Sequence, residues 1–215
     1  MARYDGWADW YDGFNAPFAE ANGLELTQIL GSGHGRCLDL GCGTGHYLDI
    51  IAATGRDVIG LDFSADQLRV AGRQGHRLVR ADGASLPFAT AAFRTVVAMW
   101  ISTDVDDFAG VLREVARVLE PGGTFVFWGV HPCFNGPHIE NGLDDSRIIH
   151  ATYRQAGWHS EAPYWGENIR RKVGMRHLPL AEFLNAFIAA GLALEQVIEP
   201  REVPVPYAIA VRARR

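Results

Sequence analysis

Two acidic residues and three alternating glycines carry the clearest chemical signal in this chain. An apolar run reaches Asp39 and then opens into Gly41, Gly43 and Gly45. A second apolar run ends at Asp62, 21 residues after the first of these glycines. Glycines let the backbone approach a ligand closely, and an acid at the end of the second strand can accept hydrogen bonds from a ribose diol. The pattern predicts a nucleoside-binding pocket at the end of a parallel sheet.

The spacing of the glycines narrows the class of ligand. A GxGxxG dinucleotide fingerprint that begins at Gly41 needs a glycine at position 46, where the chain has His46. That departure weighs against a nicotinamide-dependent oxidoreductase on a Rossmann-type fold, which stays open as an alternative. Because a carboxylate repels a pyrophosphate and attracts an ammonium group, Asp39 favours a smaller ligand that carries a positive charge.

The residues around this motif alternate between strand and helix patterns. The predicted strands span residues 36–40, 57–61, 77–80, 95–100, 124–130, 192–198 and 205–211. Apolar positions at helical spacing predict helices over 47–54, 108–119 and 180–188, and Ser64 with Gln67 forms a capping box for a further helix. The alternation predicts an α/β fold, a three-layer sandwich with a seven-stranded, mostly parallel sheet and an antiparallel edge hairpin.

Taken in order, these motifs resemble the class I S-adenosylmethionine-dependent methyltransferases. The resemblance covers residues 36–130 and rests on the glycine loop, on Asp62, on the string Ala81–Phe88 and on the turn Leu119–Thr124. It implies a Rossmann-like methyltransferase fold, S-adenosylmethionine as the cofactor, and transfer of its methyl group to an O, N or C nucleophile of a small molecule. An S-adenosylmethionine-binding protein without catalysis is a further alternative.

The resemblance also implies a set of cofactor contacts. The glycine loop would surround the methionine part, Asp62 would bind the ribose hydroxyls, and Asp82 would bind the adenine edge. The implied cofactor-binding residues are Tyr11, Asp39, Gly41, Cys42, Gly43, Gly45, Asp62, Phe63, Asp82, Gly83 and Trp100. We expect Asp39, Asp62 and Asp82 to converge on one ligand, although each acid alone is also compatible with a turn or a helix cap.

The residues that follow the fourth and fifth strands are the candidate acceptor side. His131 is the candidate general base, because an imidazole titrates near neutrality; it is equally compatible with a loop histidine that satisfies a carbonyl. Asp104 suits either an amine ligand or the start of the next helix. The predicted substrate-binding residues are Ser102, Asp104, His138, Trp165 and His177.

A metal site is not predicted. His131, Cys133 and His138 offer three zinc-type ligands, but the sequence shows no obvious fourth, and prolines restrict the loop between them.

Aromatic residues mark the two segments that flank the motifs. Tyr4, Trp7, Tyr11, Phe14 and Phe18 recur at steps of three and four, which predicts a helix. Most of these rings are expected to pack on the core, with one or two tyrosines turned toward a ligand. We expect one domain over residues 1–215, with an N-terminal helical lid over 1–30 and a substrate-side insertion over 131–178.

Composition limits the partners and the compartment. The net charge of −5 disfavours nucleic acid, and the run Arg170–Lys172 is expected to be a solvated helix face or turn. Three cysteines without a disulfide framework indicate a reducing compartment, and no apolar run is long enough to span a membrane. We therefore expect a cytoplasmic protein without nucleic acid or membrane partners, whose acceptor is a small molecule. The sequence does not determine the oligomeric state.

Overall fold

The computed structural model describes residues 2–166, 168–200 and 203–215. Met1 of the predicted lid, Glu167 of the predicted insertion, and residues 201 and 202 between the last two predicted strands lie outside the described residues.

Helices and strands alternate through the first 130 residues, as the sequence predicts. The helices are α1 (Ala8–Leu30), α2 (Leu48–Ala53), α3 (Ala65–Ala71), α4 (Phe108–Val118), α5 (Arg170–Val173) and α6 (Leu180–Ala189). The strands are β1 (Arg36–Leu40), β2 (Asp57–Asp62), β3 (Arg77–Arg80), β4 (Phe93–Met99), β5 (Leu119–Val130), β6 (Ile139–Asn141), β7 (Arg147–Ile149), β8 (Gly157–His159), β9 (Met175–His177), β10 (Ala193–Ile198) and β11 (Ala208–Arg214). Ser64 caps α3 by accepting a hydrogen bond from the backbone N–H of Gln67.

The large sheet has seven strands in the order β10-β11-β5-β4-β1-β2-β3. Strands β1 to β5 are parallel, and β11 lies antiparallel between β5 and β10. This arrangement confirms the predicted α/β fold with an antiparallel edge hairpin. The last strand begins at Ala208, three residues later than predicted, after the prolines at 204 and 206.

Both faces of the sheet are buried, which explains why its strands are nearly continuous apolar runs. One core cluster packs α4 and α6 on the sheet, with Phe108, Phe183 and Phe187 in mutual contact. The other packs α1 and α2 on the opposite face, around Leu26 and Trp128. The two layers hold the strand ends in place.

Residues 131–178 pack beyond the end of β5 without joining the large sheet. They form the antiparallel pairs β6–β7 and β8–β9, a short 3-10 helix at Ala151–Arg154, and α5. The short strands account for the absence of long apolar runs in this part of the sequence.

Helix α1 buries a different side from the one that the aromatic pattern predicts. Its buried positions include Ala8, Ala19, Leu26 and Leu30. Three of the five rings in that pattern, Trp7, Phe14 and Phe18, are instead 38–53% exposed, so the expectation that most of these rings pack on the core is wrong. The small and aliphatic residues of α1 attach it to the body. Within the described ranges, no helix combines the length and the apolar character needed to cross a bilayer.

Candidate active site

A cavity lies at the carboxyl ends of β1, β2 and β4. Strand β1 pairs with β2 on one side and with β4 on the other, so the chain builds the sheet outward from β1 first on one side and then on the other. This is the switch point at which open α/β sheets bind ligands. The lining includes Tyr4, Tyr11, Gly41, Asp62, Trp100 and Asp104.

The glycine loop forms one wall of the cavity and is tied to β2. The backbone N–H groups of Gly41 and Cys42 both donate to the Leu61 carbonyl, at 2.7 and 2.9 Å. Gly41 has a φ of 76°, and a Cβ there would lie 2.4 Å from the Ile101 Cγ2 atom. Only glycine satisfies both the left-handed conformation and the close approach, so its presence in the sequence has a local steric cause.

Asp62 places a carboxylate in the same wall. Its Oδ2 accepts a hydrogen bond from the Gly43 N–H at 2.9 Å, and its Oδ1 accepts one from the Ser64 N–H at 2.8 Å. Burial raises the pKa of Asp62, and these backbone hydrogen bonds oppose that rise. A carboxylate has about four acceptor positions, so each oxygen keeps a lone pair for a ligand donor. The geometry suits two neighbouring hydroxyl groups.

Asp39 is a buried carboxylate without a hydrogen-bond partner among the described residues. It is 0% exposed, and both of its oxygens are unpaired. Burial, followed by repulsion from Asp62, raises its pKa to about 7. Asp39 itself does not line the cavity, but the next two residues, Leu40 and Gly41, do. An uncompensated carboxylate beneath the wall favours a cationic ligand, because a positive charge relieves both causes of the raised pKa.

Asp82 does not reach the cavity. Its side chain is exposed and accepts a hydrogen bond from the Ala84 N–H at 2.9 Å, which makes it a turn residue. The neighbouring Ala81 and Gly83 line the cavity. The expected convergence of three carboxylates is therefore not observed: Asp62 lies in the wall, Asp39 lies beneath it, and the Asp82 side chain points elsewhere.

The other predicted cofactor residues divide into two groups. Tyr11, Gly43, Phe63 and Trp100 line the cavity. Cys42 and Gly45 do not: the Cys42 side chain packs in the core cluster of α1 and α2, and a Cβ on Gly45 would approach Ala71 and Gln74 at 3.0–3.2 Å. These two residues shape the loop from behind.

Trp100 lines the cavity in a strained backbone conformation. Its φ of 66° is unusual for a bulky residue. Three contacts hold Trp100 in this conformation. Its backbone N–H donates to the Trp128 carbonyl, its indole N–H donates to the Tyr47 hydroxyl at 3.2 Å, and its ring stacks on Tyr207. Such strain is characteristic of residues held in place at a functional site.

Four polar side chains, Tyr4, Thr103, Asp104 and Arg170, form a hydrogen-bonded cluster. This cluster connects the N-terminal segment and the insertion to the cavity wall. Asp104 accepts hydrogen bonds from the Tyr4 hydroxyl at 3.1 Å, from the Thr103 hydroxyl at 2.9 Å, and from Arg170 at 2.7 Å. The Asp104 and Arg170 side chains are only 21% and 16% exposed. Arg170 is therefore a buried partner of the cavity wall, and the prediction that it is solvated is wrong.

Asp104 lies in the cavity wall, where a substrate-binding residue was expected, but it does not start α4. The N-cap of that helix is Asp107, whose side chain accepts a hydrogen bond from the Gly110 N–H. Tyr4 and Arg170 were not predicted as site residues. Arg170 is 66 positions from Asp104, and no local pattern indicates the pair.

His131 does not line the cavity, and both of its ring nitrogens are occupied. Its Nδ1 accepts a hydrogen bond from the Cys133 N–H at 3.1 Å, so its Nε2 carries the proton and donates to Glu199 at 2.7 Å. Burial lowers the pKa of His131, and Glu199 opposes that shift. A histidine with two occupied nitrogens suits loop structure, and we do not retain it as a general base.

The remaining predicted acceptor residues lie away from the main cavity. Ser102 and His177 line a second, smaller pocket. His138 is fully buried, with its ring 4.4 Å from that of His177, and Trp165 packs beside Val130 and Met175. In the part of the chain that the structure describes, no three His, Cys, Asp or Glu residues form a metal-binding group.

His177 predicts a loss of stability in acid. Its Nε2 donates to the Tyr153 carbonyl at 2.7 Å, and burial lowers its pKa to about 4. Because the pKa is lower in the folded state, stability is present above the unfolded pKa and is lost as the pH falls toward 4. When the pH falls from about 7 to about 5, the unfolding free energy of the wild type should decrease by ~2 kcal/mol more than that of His177→Gln. Urea unfolding at the two pH values measures this, and equal losses would contradict it.

Comparisons with known proteins agree with this geometry. A family model described as "Methyltransferase domain" matches residues 38–127, which contain the glycine loop and Asp62. The chain is 38% identical over 88 residues to a demethylmenaquinone methyltransferase of Corynebacterium urealyticum, covering 41% of this chain and 38% of that protein. It is 34% identical over 119 residues to a fatty-acid O-methyltransferase of Mycolicibacterium smegmatis, and this match covers 53% of this chain and 43% of that protein. The chain thus spans about two fifths of the length of these relatives.

Solved structures extend the similarity over most of the chain. An S-adenosylmethionine-dependent methyltransferase from Mesorhizobium loti superposes with a TM-score of 0.70 at 28% identity, covering 84% of this chain and 90% of that one. A structure from Listeria monocytogenes superposes with a TM-score of 0.73, covering 91% and 99%, but at 20% identity it shows the fold alone. These matches favour a methyltransferase over a nicotinamide-dependent oxidoreductase. With the strand order, the glycine loop and the acid at the end of β2, they show that residues 38–127 form a methyltransferase domain, on a fold that is similar to that of S-adenosylmethionine-dependent methyltransferases.

Proposed function

We propose that this chain transfers a methyl group from S-adenosylmethionine to an O, N or C nucleophile of a small molecule by in-line displacement. The observation that carries the proposal is the Asp62 carboxylate, which is bonded to the glycine loop and faces a cavity at the switch point of the sheet. The relatives' names, which specify demethylmenaquinone and fatty acids as substrates, support a small-molecule acceptor.

The residues present fit the cofactor at both ends. Asp62 would hold the ribose hydroxyls, and the unpaired Asp39 would balance the positive charge of the ammonium group. Phe63, Leu61 and Val111 provide an apolar wall for a base. When bound, the cofactor supplies an electrophilic methyl carbon on a sulfonium centre.

The chain's own contribution is to position the reactants and exclude water. Trp100, braced by Tyr47 and Tyr207, fixes one wall of the cavity, while Tyr4 and Tyr11 close it from the N-terminal segment. Burial is the largest cause of the raised pKa of both tyrosines, which therefore stay protonated and can donate hydrogen bonds. Holding the reacting atoms in line lowers the barrier without a covalent intermediate on the protein.

Several further assignments belong to the same proposal. Residues 1–30 act as a lid, since Tyr4 and Tyr11 belong to both the cavity wall and this segment. Residues 131–178 act as a substrate-side insertion, attached to the wall through Arg170. We also propose a cytoplasmic location, supported by the free Cys37, Cys42 and Cys133, and a small-molecule acceptor without nucleic acid partners.

Tyr4 and Tyr11 are expected to respond differently to removal of the hydroxyl. Tyr4→Phe loses the hydrogen bond to Asp104 and should lower the unfolding free energy by ~1 kcal/mol, with little direct effect on the cofactor. Tyr11 lines the cavity, and its hydroxyl is free to donate to the cofactor, so Tyr11→Phe should weaken binding of S-adenosylhomocysteine about fivefold without a comparable loss of stability. Calorimetric titration and thermal unfolding of both variants separate the two roles; equal effects on binding would contradict the assignment.

The activity is tested with S-adenosylmethionine that carries a radiolabelled methyl group. The wild type is incubated with a panel of fatty acids, quinols, amines and phenols, and transfer of the label is measured. Label in an acceptor, abolished by Asp62→Ala, supports methyl transfer. Tight binding of the cofactor with no transfer across the panel would favour a non-catalytic binding protein.

A further inference from the structure

Helix α1 carries an unusual row of exposed aromatic rings. We call Trp7, Trp10, Phe14 and Phe18 the aromatic ladder. Neighbouring ring centroids are 6.3, 5.0 and 5.7 Å apart, and the rings of Trp10 and Phe14 are stacked at 13°. Each ring is 38–53% exposed. Contiguous exposed apolar surface of this kind marks an interaction site, whereas scattered single residues do not.

The ladder is continuous with the cavity. Tyr11 lies four residues after Trp7 and three before Phe14, so these side chains share one side of the helix. Tyr11 lines the cavity and packs edge-on against Tyr4, another lining residue. Their ring centroids are 5.1 Å apart. One stripe of aromatic side chains therefore begins inside the site and extends outward along α1.

The ladder is not required to hold α1 on the protein. Ala8, Ala19, Leu26 and Leu30 are buried, and they lie on a different side of the helix from the ladder. Between 38% and 53% of the surface of each ladder residue stays in water, and none of the four belongs to a core cluster of the described residues. Their arrangement is better explained by a ligand than by the packing of the chain itself.

Lys172 covers one end of the aromatic ladder and leaves the other end open. Its ammonium group lies 4.1 Å from the ring centroid of Trp7 and 5.4 Å from that of Trp10. This cation, which belongs to α5 in the insertion, covers the end of the ladder at the start of α1. Phe14 and Phe18 lie at the other end, and a ligand chain that leaves the cavity meets them along the open length of the helix.

We propose that the aromatic ladder binds the extended apolar chain of an amphiphilic methyl acceptor whose reacting head lies in the cavity; this inference rests on the proposed function. A single chain fits a row only one ring wide. An anionic bilayer surface fits less well, because the protein carries a net charge of −5.

The test compares the affinity for octanoate with that for dodecanoate, by calorimetric titration in saturating S-adenosylhomocysteine. The wild type should bind dodecanoate at least about tenfold more tightly, because the added methylenes contact the ladder. In Phe14→Ser/Phe18→Ser this preference should fall to about threefold or less, with the affinity for S-adenosylhomocysteine unchanged. The matched control is Ile188→Ser on α6, which is 62% exposed and should keep the wild-type preference.

Three results would overturn the inference. The first is that the wild type shows no preference for dodecanoate, or that the double variant keeps the wild-type preference. The second is a wild-type dimer, seen by analytical ultracentrifugation, that the double variant dissociates; a second copy would then cover the ladder. The third is binding to phosphatidylcholine vesicles that the double variant loses while the chain-length preference remains. If the wild type does not bind S-adenosylhomocysteine, the proposed function fails instead. A separate titration with that ligand alone measures this.

Discussion

Asp62→Ala is expected to weaken binding of S-adenosylhomocysteine about a hundredfold. Hydrogen bonds to a charged group contribute roughly 1.5–3 kcal/mol each, and the two expected from a ribose diol account for a change of this size. The substitution also leaves the Gly43 and Ser64 N–H groups without their carboxylate partner, which loosens the glycine loop. Calorimetric titration measures the affinity, and thermal unfolding without ligand measures how much of the effect arises from the loop.

Asp57→Ala is the matched control for that experiment. Asp57 begins the strand that Asp62 ends, and its side chain is 57% exposed in an ion pair with Arg77. Its removal should change binding less than about twofold, since surface ion pairs contribute little. Similar weakening in both variants would mean that Asp62 acts only through the stability of β2.

Asp39→Asn is expected to stabilise the protein without ligand while impairing cofactor binding. The wild-type carboxyl has its pKa raised from 3.8 to about 7 by burial and by Asp62. Because the folded pKa is higher than the unfolded one, the carboxyl's contribution to stability is present below about pH 4. It is lost as the pH rises through 7.

When the pH rises from about 4 to about 8, the unfolding free energy of the wild type should therefore decrease by ~4 kcal/mol more than that of Asp39→Asn, because the amide does not ionise. Urea unfolding at the two pH values measures the difference. The same variant should bind S-adenosylmethionine at least about tenfold more weakly at about pH 8, since it lacks the charge that balances the ammonium group. Identical pH dependence in the two proteins would show that Asp39 has a stabilising partner when it is ionised.

The parts of this protein that sequence analysis predicted well are those governed by local rules. The glycines follow from backbone conformation, the strands from burial on both faces, and Ser64 from its capping geometry. Asp62 follows from the same logic, because its place at a strand end determines where its side chain lies. None of these inferences requires contacts between distant parts of the chain.

The parts that were not predicted depend on long-range side-chain partners. His131 turns away from the cavity to pair with Glu199, 68 positions later, and Arg170 is drawn into the wall by Asp104 across 66 positions. The insertion's short strands leave no periodic signal from which such pairs are recognised. The exposed rings of α1 were misassigned for a related reason: their spacing predicts a helix, but not which side of it faces the protein.

The most direct test of the central claim is a calorimetric titration of the wild type with S-adenosylmethionine and with S-adenosylhomocysteine, repeated on Asp62→Ala. We predict one site per chain for both ligands, competition between them, and a large loss of affinity in the variant. No binding of either ligand to the wild type, or the same affinity in both proteins, would contradict it.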